Sequence, residues 1–160
     1  MARLDRMHPA MSASLLAMQC PTFETHPWVT GPPLAQRRVA LISTAGLHRR
    51  DDRPFGVTEG NQRAIAGDYR VIPGDIDANE LLMSHVSTNF DRTGFQQDVN
   101  VVFPLSRLQE LAQDGTIGSL AAFHYSFMGA TEPQHMAAAA HALARLLHQD
   151  HVTAALLAPV

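Results

Sequence analysis

The sequence predicts an α/β domain with a mainly parallel sheet flanked by helices in Rossmann-like layers. Three observations carry this. The run Arg38-Val39-Ala40-Leu41-Ile42-Ser43-Thr44 is almost continuously apolar, as a strand buried on both faces must be. Two apolar stripes, Leu105-Leu108-Leu111 and Met136-Ala140-Leu143-Leu147, recur at helical spacing. Strand and helix signals then alternate to the end of the chain.

Taken in order, Met11 to Met18 predicts a short amphipathic helix. It is too short and too broken by serines for a signal peptide, with Asp5 in the leading region. Pro21, Pro27, Gly31, Pro32 and Pro33 then exclude helix and central strand, so residues 1–37 read as an N-terminal helix and proline-rich arm. Residues 38–160 read as the α/β domain. After the first strand, Leu47 to Gly67 is polar and reads as a long loop, of the kind that carries function more often than decoration. Tyr69 to Ile72 is a second strand, stopped by Pro73-Gly74. Asp75 or Asp77 can cap a short helix, and Leu81 to Ser84 is a third strand or that helix's end. A second polar loop runs from His85 to Asn100. Pro104 opens a helix that Gly115 stops. Ile117 to Met128 fits strand or buried helix. Glu132-Pro133 opens a helix through Gln149, and Val152 to Val160 closes the chain as a strand. A chain that closes on a strand with no covering helix reads as a truncated or half α/β unit.

Composition narrows the chemistry. The 160 residues are 46% hydrophobic and 17% charged, with a net charge of −3, which suits a small cytoplasmic domain. Nothing in that balance attracts nucleic acid or an anionic membrane, and no apolar run approaches the roughly 20 residues of a bilayer span. All 12 basic residues are arginine, which excludes a lysine Schiff base and a Walker-type phosphate loop. The single cysteine, Cys20, excludes an internal disulfide, and nothing near it in sequence lowers its pKa.

The candidate site residues sit at strand ends, where α/β folds bind ligands. His48 follows the first strand directly, and the turn Ser43-Thr44-Ala45-Gly46 offers Thr44 and Gly46 to an anion. In the second loop, His85, Asn89, Asp91 and Arg92 gather polar chemistry. His85, Asp91 and Asp98 match no established ligand spacing, so no metal is assigned. The histidines of the last helix, His141 and His148, fall away from its leucine stripe and read as solvated.

Several segments together resemble a known family. They are Arg38 to His48, Asp68-Tyr69-Arg70-Val71-Ile72-Pro73-Gly74-Asp75, Ser84-His85, Asp98 to Leu108, Gly115 to Leu120, and Phe127-Met128-Gly129. The sequence resembles the selenoprotein B family of glycine, sarcosine, betaine and proline reductases, over residues 27 to 160. The resemblance implies reductive carbon–nitrogen cleavage of a small amine or amino acid. In that family a strand resembling Val152 to Val160 runs into a selenocysteine, the nucleophile, so the catalytic residue is expected just beyond Val160. The chain is then expected to stop at a recoded codon and to be inactive alone. His48 and His85 become candidate supporting residues that orient or protonate the departing amine. No cofactor is expected in this chain; a dithiol reductant is, and a pyruvoyl group on a partner subunit. Thr88 to Phe95 departs from the amino-acid reductases, which leaves the substrate open. Two alternatives stand beside this reading. One is a non-enzymatic structural or regulatory subunit that pairs through the exposed last strand; the apolar face beside Val152 to Val160, left without a covering helix, predicts a homo-oligomer. The other is a metal-dependent hydrolase using His48, His85 and Asp91.

Overall fold

The computed structural model of the chain describes residues 4–17, 22, 24, 26, 28–56, 67–87 and 90–160. Cys20 and Asn89, both singled out above, lie outside them.

Helix α1 (Pro9–Leu16) has proline in its first turn and His8 as its cap, but buries none of its residues. The expected amphipathic packing is therefore absent. Strand β1 (Arg38–Ser43) is the centre of the sheet. It pairs in parallel with β5 (Ser119–Leu120), β6 (Phe123–Ser126) and β7 (Ala154–Ala158). Strand β3 (Arg70–Pro73) runs antiparallel to β6 at the far edge. Strands β2 (Leu47–Arg49) and β4 (Leu81–Met83) form a separate antiparallel ribbon; β2 lies inside what the sequence suggested was loop, and β4 takes up the strand reading of Leu81 to Ser84. The sheet is mixed, which corrects the expectation of a mainly parallel one. The physical reason is visible in β3, where Ile72 is buried and Val71 exposed. Such one-sided burial belongs to an antiparallel edge strand, whereas the two-sided burial of β1 belongs to the centre.

Alternate residues of β1 supply two cores. Val39 and Leu41 join Leu47, Ile72, Phe103, Leu105, Leu108 and Ile117. Ile42 packs with Tyr125, Phe127 and Leu143 against α4 (Pro133–Gln149). The packed stripe of α4 is Met136, Ala139, Leu143 and Leu147; Ala140 is exposed. Likewise α3 (Leu105–Gln113) buries Leu105 and Leu108 and packs Ala112, while Leu111 faces out. The expected stripes hold at Met136, Leu143 and Leu147 and at Leu105 and Leu108; in each helix a single position gives way to its neighbour, Ala139 for Ala140 and Ala112 for Leu111, a choice that hydrophobic spacing alone does not resolve. The second polar loop contains a short helix, α2 (Thr93–Gln97), followed by a 3-10 turn at Val99–Val101.

The pairing of β1 with β5 and β6 is interrupted. Val39 faces Leu120 and Ile42 faces Tyr125, so two residues of β1 (Ala40, Leu41) oppose four of its neighbour (Ala121 to His124). His124 fills the gap. Its fully buried imidazole accepts the Leu41 amide at Nδ1 (3.0 Å), in the place of a strand carbonyl. Asp150 fastens the other side of the bulge. Its carboxylate takes the Arg38 guanidinium at 2.6 Å and the Ala122 amide at 2.9 Å. Without His124 the bulge would leave the buried Leu41 amide unpaired, at about 1–3 kcal/mol, whereas the Ala122 amide lies at the exposed side of the bulge.

Candidate functional site

The carboxyl end of β1 is where the chain's chemistry gathers. Ser43 is buried there; its hydroxyl donates to the Val102 carbonyl (2.8 Å) and accepts the Ala45 amide (3.1 Å). With both roles filled, it is a brace. Thr44 ties three segments together. Its amide donates to the Ala158 carbonyl, its carbonyl accepts the Gly129 amide (2.8 Å), and its Oγ1 accepts the Val160 amide (2.8 Å). A side chain at Gly129 would put its Cβ 2.7 Å from the Val160 carbonyl oxygen, so only glycine lets these strands close. The end of β7 is thus clamped beside the end of β1.

Gly46 turns the chain out of β1 with φ +67°, and its carbonyl accepts the Ser84 amide at 3.0 Å. A Cβ there would lie 2.6 Å from the Met128 methyl and 3.2 Å from the His85 Cα. The close approach brings the segment carrying His85 directly against the strand end. His85 is buried and its ring lies 4.8 Å from that of Phe90.

The tautomers follow from the partners, since an amide can only donate and a carbonyl can only accept. The Ser87 amide donates to His85 Nδ1 at 3.2 Å, so the neutral ring carries its proton on Nε2. Burial, and then the Arg92 charge, push the His85 pKa below its ordinary value and keep the ring neutral. His48, buried on β2, lies with Nδ1 2.8 Å from the Arg49 carbonyl, so it carries the opposite tautomer, with a bare Nε2. No hydrogen bond or ring contact joins the two imidazoles, among the described residues.

The remaining candidates have local duties. Asp91 is exposed and accepts the Thr93 hydroxyl (2.7 Å) and amide (2.9 Å); these bonds hold its pKa low. Arg92 Nη2 donates to the carbonyls of His85 (2.5 Å) and Ser87 (3.3 Å), strapping the loop. Asp98 accepts the Asn100 amide and side chain at the turn after α2, away from Asp91. Among the described residues no three histidines, cysteines, aspartates or glutamates are placed to hold a metal ion. The site residues that sequence reasoning missed are Met128, Gly129 and Phe90. The Phe127-Met128-Gly129 segment was visible as a motif, but only the fold brings it against Thr44 and Gly46.

Among the described residues no helix is long and apolar enough to cross a membrane. A family model described as glycine/sarcosine/betaine reductase selenoprotein B matches residues 22–160. D-proline reductase subunit gamma of Acetoanaerobium sticklandii is 34% identical over 111 residues, covering 63% of this chain and 42% of that protein. The chain thus spans less than half the length of this curated relative. No solved structure matches it.

Proposed function

Since the chain belongs to the glycine/sarcosine/betaine reductase selenoprotein B family, we propose that it forms the substrate-facing part of a reductase that cleaves a carbon–nitrogen bond in a small amino acid or amine. The observation that carries this reading is the clamp between Thr44 and Val160. It holds the end of β7 beside Gly46 and the segment bearing His85, at the carboxyl edge of a parallel strand pair where ligands of α/β folds bind.

In this reading the nucleophile follows Val160 and is a selenocysteine. A low-pKa selenolate there would attack the carbon bearing the amine, and a dithiol would supply the two electrons of the cleavage. Activation of the amine by a pyruvoyl group belongs to a partner subunit. What this chain contributes is position and proton chemistry. The bare Nε2 of His48 accepts a proton, and the Nε2–H of His85 donates a hydrogen bond. The loop around Asp91 and Arg92 supports substrate choice.

The test extends the chain past Val160 with a cysteine in the nucleophile's place. That thiol should be alkylated by iodoacetamide several-fold faster than Cys20, and the 160-residue chain should show no cleavage of glycine, sarcosine, betaine or proline with a dithiol. Turnover by the unextended chain would overturn the reading. A second, non-enzymatic reading draws on β7, whose outer edge pairs with no strand among the described residues and whose Leu157 is 67% exposed. Such an edge suits pairing with another subunit. Alkylation no faster than at Cys20, with a stable stoichiometric complex, would favour it.

A further inference from the structure

Strand β3 alternates buried and exposed residues, and its first inward position carries a charge: Arg70 shares the buried side with Ile72. A guanidinium tolerates burial only when its donors are met. Here Nη1 donates to the Asp68 carboxylate (2.7 Å) and the Tyr69 carbonyl (3.1 Å), and Asp52 lies 3.9 Å from Nε. Nε itself donates to the Arg53 carbonyl at 2.8 Å, so the side chain reaches out of the sheet into the loop that follows β2.

What that reach holds is Phe55. The guanidinium carbon of Arg70 lies 4.3 Å from the centre of the Phe55 ring, and the phenylalanine is buried. Arginine suits this place because its flat face stacks on the ring while its edge serves the Arg53 carbonyl and Asp68; an ammonium cannot do both. The Phe55 amide donates to the Ser84 hydroxyl at 2.8 Å, and the Ser84 amide donates to the Gly46 carbonyl at 3.0 Å. Gly56, at φ +74°, then lays the chain against Val86, where a Cβ would sit 2.7 Å from a Val86 methyl. An unbroken run of contacts thus leads from Arg70 through Phe55 and Gly56 to Ser84 and Val86, the two neighbours of His85 in sequence.

We propose that Arg70 is a positioning residue: through Phe55 it sets where Ser84 and Val86 stand, and with them the imidazole of His85. The proposal rests on the reductase reading, in which His85 serves the reaction, and gives β3 a duty beyond closing the sheet.

The test uses the 160-residue chain labelled with ¹⁵N-histidine. His124 is the internal control, because it faces Ile72 across the strand pair that Arg70 opens. In long-range proton–nitrogen spectra, Arg70→Met and Ser84→Ala should each move the His85 ring signals and leave those of His124 in place. Ser84→Thr, which keeps the hydroxyl, should hold the His85 signals at their parent positions. Arg70→Lys, which keeps the charge without the fork, should move them as Arg70→Met does. The double variant Arg70→Met with Ser84→Ala should shift His85 no further than the larger single one, as two links of one chain require. His124 moving while His85 holds would show that Arg70 serves the sheet alone. Parent signals in Arg70→Lys would show an effect of charge and not of position, and additive shifts would show two separate effects; each of these results overturns the proposal. Should Arg70→Met fail to fold, Arg70→Lys takes its place in the double variant. The two readings fail separately. In the chain extended by a cysteine after Val160, a thiol no faster than Cys20 with His85 still answering to Arg70 removes the reductase reading only; a fast thiol with His85 unmoved by Arg70→Met removes the positioning role only.

Discussion

The hydroxyl of Thr44 accepts the backbone amide of Val160 at 2.8 Å, joining the ends of two parallel strands 116 residues apart in sequence. Five paired residues of β1 and β7 precede this bond, from Val39–Ala154 to Ser43–Ala158. The side-chain bond extends the ladder past the point where Pro159 interrupts it, since proline has no amide to give.

Thr44→Val should therefore destabilise the chain by about 0.5–1.5 kcal/mol, the usual net worth of such a bond. Hydrogen exchange should localise the loss: the Val160 amide should exchange faster, while amides in the middle of β7 keep their protection. Thr44→Ser should restore most of it. Unchanged exchange at Val160 in the valine variant would show that the hydroxyl does not hold the strand end.

Gly46→Ala should cost about 1 kcal/mol for the left-handed backbone alone, and more for the overlap of its Cβ with the Met128 methyl and the His85 backbone. The methionine can move and the backbone cannot. The double variant Gly46→Ala with Met128→Ala should therefore show non-additive urea midpoints, recovering part of the clash and none of the strain. Additive losses would mean that the two positions do not touch.

His124 predicts an acid-sensitive fold. Burial lowers its pKa to about 4 against an ordinary 6.5, with Asp150 opposing the shift and Arg38 adding to it. The unfolded chain then binds the proton more tightly than the folded one. Stability from this group is complete above about pH 6.5 and declines as pH falls toward about 4, where the loss levels off, at about 3 kcal/mol in total. His124→Asn keeps an acceptor for the Leu41 amide and removes the titration. Its stability should be lower at neutral pH and flatter between pH 6.5 and 4 in chemical denaturation. An identical slope in the two proteins would rule His124 out as the source.

Asp150 acts in the same sense, in a lower pH window. Burial raises its pKa, but the hydrogen bonds from Arg38 and Ala122 outweigh it and leave the value below 3.8. Its contribution is present above the unfolded carboxylate pKa and is lost as pH falls through the lower folded value. Asp150→Asn should flatten stability below about pH 4. Arg38→Lys should weaken the bulge by about 1–3 kcal/mol, because a single ammonium cannot serve the Asp150 carboxylate, the Asp150 carbonyl and the Leu120 carbonyl together. Equal midpoints for Arg38→Lys and the parent chain would mean that the fork adds nothing.

The sequence by itself determined the elements whose signal is local. The unbroken apolar run at Val39 to Ile42 requires burial on both faces, and Pro133 with the leucine spacing behind it requires α4. It also carried the family, because motifs such as Asp98 to Leu108 are strings of residues and need no fold to be recognised. Tertiary structure alone decided strand direction, since β3 is antiparallel to a partner whose identity no four-residue window contains. It decided that a histidine, His124, completes a sheet ladder. It also decided that His85 and His48 carry opposite tautomers, because each proton's position is set by a neighbouring backbone group and not by the imidazole. Pairing between distant segments is a matter of which donors meet which acceptors after the chain has closed, and that information is not written at any single residue.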